Sequence, residues 1–320
     1  MRVAAVLRQR PYAFAAGLSA LLLCATIGAQ PTFIDPGNWS EEFAAFAPFA
    51  LIAIASTPSI LSGGGGLDLS IGPLAAFVNI VVITQLLGTW AGGPETVFPA
   101  MLLMGAVVGA LNGLLIARFR YLPVIATLCT FFILGGAALE LAGTTVTAPP
   151  NWTSHLNDSV GPVPVALLLI LAPLAVWWAL QRSAYIDNLY AVGGDDAAAL
   201  CAGVDVERTR IVAYAFGGVV AALAGIAVTA LLQATDLRIG TQYALIALAA
   251  VAIGGTPIGG GRGGLAGSLL GAASIYLLQT FLSSVHVPTD WLPVAYGSML
   301  AMGVLLGAQV MRPLSGKPAR

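Results

Sequence analysis

The side chains that most often carry chemistry are few in this chain, and they are scattered. Three cysteines, Cys24, Cys129 and Cys201, and two histidines, His155 and His286, stand singly, without the pairing of a disulfide framework or the spacing of metal ligands. The chain's only lysine, Lys317, is followed by Pro318. The glycine-rich run 254–264 therefore lacks the Gly-Lys-Ser/Thr ending that holds a nucleotide phosphate, and it reads as a loop. No carboxylate pair falls within an apolar stretch. Glu140, near the end of one, reads either as a proton-coupling acid or as a carboxylate solvated at an interface. These residues point away from catalysis, metal binding and nucleotide hydrolysis within this chain.

The most distinctive spacing belongs to small and polar residues. Ser62-Gly63-Gly64-Gly65-Gly66-Leu67-Asp68-Leu69-Ser70 sets four glycines before an aspartate and a serine. Each glycine disfavours helix by about 1 kcal/mol relative to alanine, so the chain turns or unwinds there, with Pro58 and Pro73 flanking the break. Asp68 and Ser70 suit the cap of a following helix, whose positive end favours a carboxylate. The sharper alternative makes Gly65, Gly66, Asp68 and Ser70 a gate, or Asp68 a contact with a cytoplasmic partner.

A second segment runs from Tyr190 through Gly193, Gly194, Asp195, Asp196, Ala197 and Ala198 to Gly203 and Val204. Asp195 or Asp196 suits the cap of a short alanine-rich helix over 197–202 that Gly203 ends. It reads as a docking element for another protein in preference to a plain connector. Two glycine ladders, Gly105/Gly109/Gly113 and Gly259/Gly263/Gly267/Gly271, line single helix faces and let another backbone approach closely. Asn112, inside the first ladder, is either an interhelical tie or a polar point on a pathway. Asn79, Gln85 and Thr127 are the other pathway candidates.

The elements that must position these residues follow from composition. Of the 320 residues 58% are hydrophobic and 8% charged, against roughly 25% charged in a soluble domain, so the solvent of most of the chain is lipid. With 13 Lys+Arg against 14 Asp+Glu, nothing favours a nucleic-acid partner. A helix needs about 20 apolar residues to cross about 30 Å of hydrocarbon. Charge-free windows lie between Arg10 and Asp35, Glu42 and Asp68, Asp68 and Glu95, Glu95 and Arg118, and Arg120 and Glu140. Five more lie between Asp158 and Arg182, Arg210 and Asp236, Arg238 and Arg262, Arg262 and Asp290, and Asp290 and Arg312.

These windows predict an all-α integral membrane protein with ten transmembrane helices. The first window, after Arg2, Arg8 and Arg10, reads as a membrane helix in preference to a secretory signal. With both termini cytoplasmic, Arg2, Arg8, Arg10, Arg118, Arg120, Arg182, Arg208, Arg210, Arg262, Arg312, Lys317 and Arg320 all fall inside, and only Arg238 outside. Ten helices divide into five plus five, and an odd-numbered unit used twice inserts in opposite senses. The two ladders would then lie on equivalent helices, the fourth and the ninth, although in different registers.

At these segments the sequence resembles the permease subunits of bacterial ABC importers, in the monosaccharide branch typified by ribose permeases. Residues 65–72 look like that family's glycine-aspartate-leucine-serine turn, Tyr190–Val204 like its cytoplasmic coupling segment, and 254–267 like its third motif. Residues 123–128 match a weaker pattern. The resemblance covers about residues 45–310; extra glycines before Asp68 and the acidic pair Asp195-Asp196 depart from the usual forms. Branched-chain amino acid permeases share the aspartate turn, and the 190–204 segment is closer to the sugar branch.

The resemblance implies a single permease domain over 1–320, with 182–210 as its coupling segment, in the bacterial inner membrane. It implies as partners a second permease chain, a cytoplasmic ATPase carrying ATP and Mg, a periplasmic or lipid-anchored solute-binding protein, and membrane lipid. This chain itself would bind no cofactor. An ion-coupled secondary transporter is the alternative that the five-plus-five division also fits.

Overall fold

The structure is a computed structural model that describes residues 12–311. The basic residues Arg2, Arg8, Arg10, Arg312, Lys317 and Arg320, used above for orientation, lie outside the described residues. The chain is helical almost throughout. Five helices come first: α1 (Ala13–Ala29), α2 (Trp39–Leu61), α3 (Ile71–Val81, extended by a π turn over Val82–Leu86), α4 (Pro94–Ala117) and α5 (Pro123–Ala142). A segment with a two-stranded hairpin, Ser159–Val160 against Val163–Pro164, leads to α6 (Val165–Leu180). Then come α7 (Ala184–Gly194), α8 (Asp196–Cys201), α9 (Val206–Leu232), α10 (Ile239–Ile253), α11 (Leu265–Ser284) and α12 (Leu292–Met311).

Each of the ten charge-free windows holds one apolar helix: α1 to α6, then α9 to α12. Among the described residues α2, α4, α5, α9 and α11 are long and apolar enough to cross a membrane, and α1, α3 and α10 are shorter apolar helices. α6 and α7 meet at 87°, so the chain leaves the line of α6 at once.

α3 and α10 are buried on almost every side. They explain a pattern in the sequence. Asp68-Leu69-Ser70-Ile71-Gly72 enters α3, and Asp236-Leu237-Arg238-Ile239-Gly240 enters α10. In both, the aspartate Oδ1 accepts from the backbone N–H two residues on, at 2.9 Å from Ser70 and 2.8 Å from Arg238. The two helix starts touch, because a side chain on Gly72 would overlap the carbonyl oxygen of Gly240. The same displacement along the chain carries α2 onto α9, α4 onto α11 and α5 onto α12.

Packing repeats in the same sense. α2 packs on α9 and α3 on α10; α9 meets α3 as α2 meets α10; α4 meets α9 as α11 meets α2; α5 meets α3 as α12 meets α10. α1, on α11, and α6, on α2, fall outside this two-fold pattern.

The first glycine ladder forms the contact of α4 with α9. Side chains on Gly105 and Gly109 would overlap the carbonyl oxygens of Gly218 and Tyr214, and one on Gly113 would lie 2.7 Å from Ile211 Cα. The second ladder is shorter than its spacing predicts. Gly267 and Gly271 seat α11 against the backbone of α10 at Gly254 and Ala250, but Gly259 faces open space. Gly263 is corrected from a helix-packing residue to a loop residue: with φ +105° it precedes α11 and lies against Thr256.

Candidate functional site

Three segments far apart in the sequence meet backbone to backbone at one end of the bundle. α2 ends at Leu61, and Gly63, Gly64 and Gly65 follow with φ of 73°, 64° and 72°, in the left-handed region that residues with a Cβ avoid. The face of Gly63 without a side chain is filled by Gly193 from the end of α7, whose Cα would lie 2.8 Å from an added Cβ. A Cβ on Gly193 would overlap the Leu61 carbonyl oxygen and lie 2.6 Å from the Gly261 nitrogen. Gly261 N–H in turn donates to the Leu61 carbonyl at 3.1 Å. Gly260 closes the ring, with its added Cβ 2.5 Å from Gly63 Cα. A four-glycine junction results, with no side chain between the three backbones.

Side chains stitch the rim of this junction. The Tyr190 hydroxyl donates to the Gly263 carbonyl at 2.8 Å, joining α7 to the loop before α11. Asp195 caps α8, its Oδ1 accepting from Ala197 N–H at 2.9 Å and Ala198 N–H at 3.0 Å. Its neighbour Asp196 instead pairs with Arg210 of α9. Gly203, φ 85°, follows the end of α8. Of α8 only Ala199 is buried, and Leu200 is 64% exposed, an apolar side chain held out from the surface. A cleft of about 840 Å³ lies between α8, the start of α9 and the α4–α5 turn, with Gly64, Arg120, Leu200 and Glu207 among its walls. Tyr190, Gly193 and Gly194 belong to α7, so the segment expected to carry one short helix carries two.

Deeper in the bundle, Asp68 is 1% exposed, and its burial removes it from any partner's surface. It is corrected from a helix cap to the anchor of the turn itself. Its Oδ1 accepts both the N–H of Ser70, at 2.9 Å, and the Ser70 hydroxyl, at 2.6 Å. Ser70 stands at the N-cap of α3 but makes no side-chain capping bond there, because its hydroxyl is held by Asp68 and by Asn112. Asn112 Nδ2 donates to Ser70 Oγ at 2.9 Å, and Thr130 Oγ1 donates to Asn112 Oδ1 at 2.6 Å. Thr127 Oγ1 lies 2.9 Å from the Pro123 carbonyl and 3.3 Å from that of Leu67. Asn112 and Thr127 thus tie α4 and α5 to the aspartate turn.

Asn79 donates to Thr229 and to the Ala234 carbonyl and is fully buried between α3 and α9. Gln85 and Glu140 are exposed. Gly65 faces open space, whereas Gly66 is packed on the Ser59 carbonyl. Among the described residues no group of three or more His, Cys, Asp and Glu gathers as metal ligands would.

The roles at Asp68 separate by substitution. Asn keeps an acceptor oxygen for both Ser70 donors, whereas Ala leaves two buried donors unpaired, at about 1–3 kcal/mol each. Asp68→Ala is therefore expected to lower the thermal unfolding midpoint in detergent while Asp68→Asn stays near the wild type. Equal losses in the two variants would mean that the charge, and not the acceptor, holds the turn.

Two features escaped the reading of the sequence. Arg210 entered it only as a cytoplasmic charge, although the acidic residue fourteen positions earlier was available as a partner. The Asp-Leu-x-Ile-Gly repeat before α3 and α10 was visible as a self-match, and it locates the internal equivalence that the glycine ladders do not.

The profile of the family described as branched-chain amino acid transport system / permease component matches residues 38–309, which include all three segments of the junction. The chain is 34% identical over 298 residues to the fructose import permease protein of Bifidobacterium longum, covering 88% of this chain and 85% of that one. It is 33% identical over 304 residues to the ribose import permease protein of Bacillus subtilis, covering 91% and 90%. It is 32% identical over 294 residues to an autoinducer 2 import system permease protein of Klebsiella pneumoniae, covering 89% and 82%. No solved structure matches significantly. A profile spanning most of the chain, relatives of like length and a bundle of apolar helices agree: the chain is a membrane protein of the branched-chain amino acid transport system permease component family.

Proposed function

We propose that this chain is the permease subunit of an ATP-driven importer that moves a monosaccharide inward across the bacterial inner membrane. The carrying observation is the junction: an exposed, capped helix, α8, begins three residues after Gly193, where the glycine turn, α7 and the loop before α11 meet backbone to backbone. Through Gly194 and Asp195, α8 continues the end of α7, which meets the end of α2 and the loop before α11 backbone to backbone, and Asp196 ties α8 to Arg210 of α9. Residues 182–210 then form the coupling segment of one permease domain, with Tyr190, Gly193, Gly194, Asp195, Asp196, Ala197, Ala198 and Gly203 taking up the stroke of a cytoplasmic ATPase. ATP and Mg belong to that partner. A second permease chain completes the pathway, and a periplasmic or lipid-anchored protein delivers the solute. The sugar reading is supported by the names of the fructose and ribose relatives.

In this reading ten helices cross the membrane, both termini are cytoplasmic, and α2–α5 and α9–α12 are inverted copies. Support comes from the paired helix contacts and the shared aspartate turn. The ends of α4 and α6, the start of α9 and the loop before α11 carry Arg118, Arg120, Arg182, Arg208, Arg210 and Arg262, as cytoplasmic segments do.

Reconstitution into proteoliposomes with an importer ATPase and a solute-binding protein tests the function. Ribose or fructose uptake is expected with ATP on the ATPase side and none without it. Uptake by this chain alone on a proton or sodium gradient would make it a secondary transporter, and ATP-driven uptake of leucine but not of sugars would move it to the amino acid branch.

A further inference from the structure

We propose that Arg210 is the positioning residue that carries movement of α8 into the glycine turn between α2 and α3. The inference rests on the reading of the chain as an ATP-driven permease. Arg210 Nη2 lies 2.7 Å from Asp196 Oδ1, at the first residue of α8, and 3.3 Å from the Ser62 carbonyl, at the end of α2. One amino group therefore holds the coupling helix and the turn together. A Cβ on Gly64 would lie 2.8 Å from the same nitrogen and 3.3 Å from Cζ, so the turn lies directly against the guanidinium, at a φ of 64° that favours glycine.

The pair differs from the other three ion pairs among the described residues. In those the basic side chain is 67% to 87% exposed, in Arg118–Glu207, His155–Asp158 and Arg208–Asp205. The Arg210 side chain is 11% exposed. Exposed pairs contribute little and let go easily. The Asp196 side chain is 46% exposed, so the pair is desolvated on the arginine side, and separating it leaves the buried guanidinium without its counter-charge. Arg210 Nε is buried with no partner, so the guanidinium is placed by the two elements it ties and not by a full set of its own bonds.

The covalent routes out of α8 are softer. The helix is bounded by Gly194 before its cap and by Gly203 with φ 85° after it, and its own packing is limited to Ala199. Displacement of α8 is therefore passed on where it is tied by charge. A planar guanidinium with fixed donor directions holds two acceptors in a set geometry, as an ammonium does not.

The test uses the reconstituted complete importer, reading sugar molecules imported per ATP hydrolysed. Arg210→Gln is expected to lower this ratio about tenfold, and Asp196→Asn to lower it too. The double variant is expected to be no worse than Arg210→Gln, since both changes break one link. The exposed Arg238→Gln, outside the coupling segment, serves as a control with an unchanged ratio. An unchanged ratio in Arg210→Gln, or losses in the double variant that multiply, would overturn the proposal. If Arg210→Gln fails to assemble, Arg210→Lys keeps a cation near Asp196 and is expected to assemble with a partly lowered ratio; failure of both would show a folding role and overturn it. Absence of ATP-driven import by the wild type would instead bring down the permease reading, and this inference with it.

Discussion

Gly193→Ala is expected to abolish import and to lower the thermal unfolding midpoint of the chain, while Gly194→Ala, one residue on, leaves that midpoint unchanged. The two glycines share a helix end and differ in what surrounds them. Gly194 faces open space, whereas an added Cβ at Gly193 meets the Leu61 carbonyl and the Gly261 backbone. Insertion of a methyl group into a packed interior costs about 1–3 kcal/mol where side chains can shift. Here every neighbour is backbone, at the end of α2 and in a turn already held at positive φ, so the upper end of that range or more applies. In the proposed mechanism the damage also falls where the three segments transmit motion, so import is expected to drop further than stability does. Melting curves in detergent and ATP-driven uptake in proteoliposomes read the two effects, and wild-type uptake by Gly193→Ala would remove the junction from the transport mechanism.

How much of this was legible in the sequence follows from what each residue type reveals. Charges are excluded from lipid, so the gaps between them located ten apolar helices, and Asp195 before a run of alanines located α8 within one residue. The glycine clusters at 63–66, 193–194 and 260–264 were visible as breaks. Their meeting was not, because a glycine matters here for what its missing side chain admits and carries no mark of the partner. Asp68 was misread for a related reason: an aspartate just before a helix looks like a cap, and only the packing shows that Ser70 and Asn112 turn it into a buried tie. Arg210 was counted as one positive charge among many. Its burial, which sets it apart, is a property of the fold and has no local signature.

The close approach of α4 and α9 gives the second large effect. Lipid offers no hydrophobic drive for two apolar helices to associate, so their contact depends on backbone proximity and packing. Gly105, Gly109 and Gly113 supply that proximity on α4, and Gly218 returns it from α9, where an added Cβ would lie 3.0 Å from the Gly109 nitrogen. Gly109→Leu is expected to force the helices apart along this seam. Asn112 stands less than one turn further along α4, so separation also withdraws its amide from Ser70 and releases the aspartate turn. The expected result is a chain that melts well below the wild type or fails to purify as a single species in detergent. Gly135→Leu, on α5, is the matched control: the same change at a glycine with nothing within 4 Å of its added Cβ is expected to leave the melting midpoint near that of the wild type. If the two variants melted alike, the glycine ladder would be no more than tolerated composition, and the α4–α9 contact would have to be held by its side chains instead.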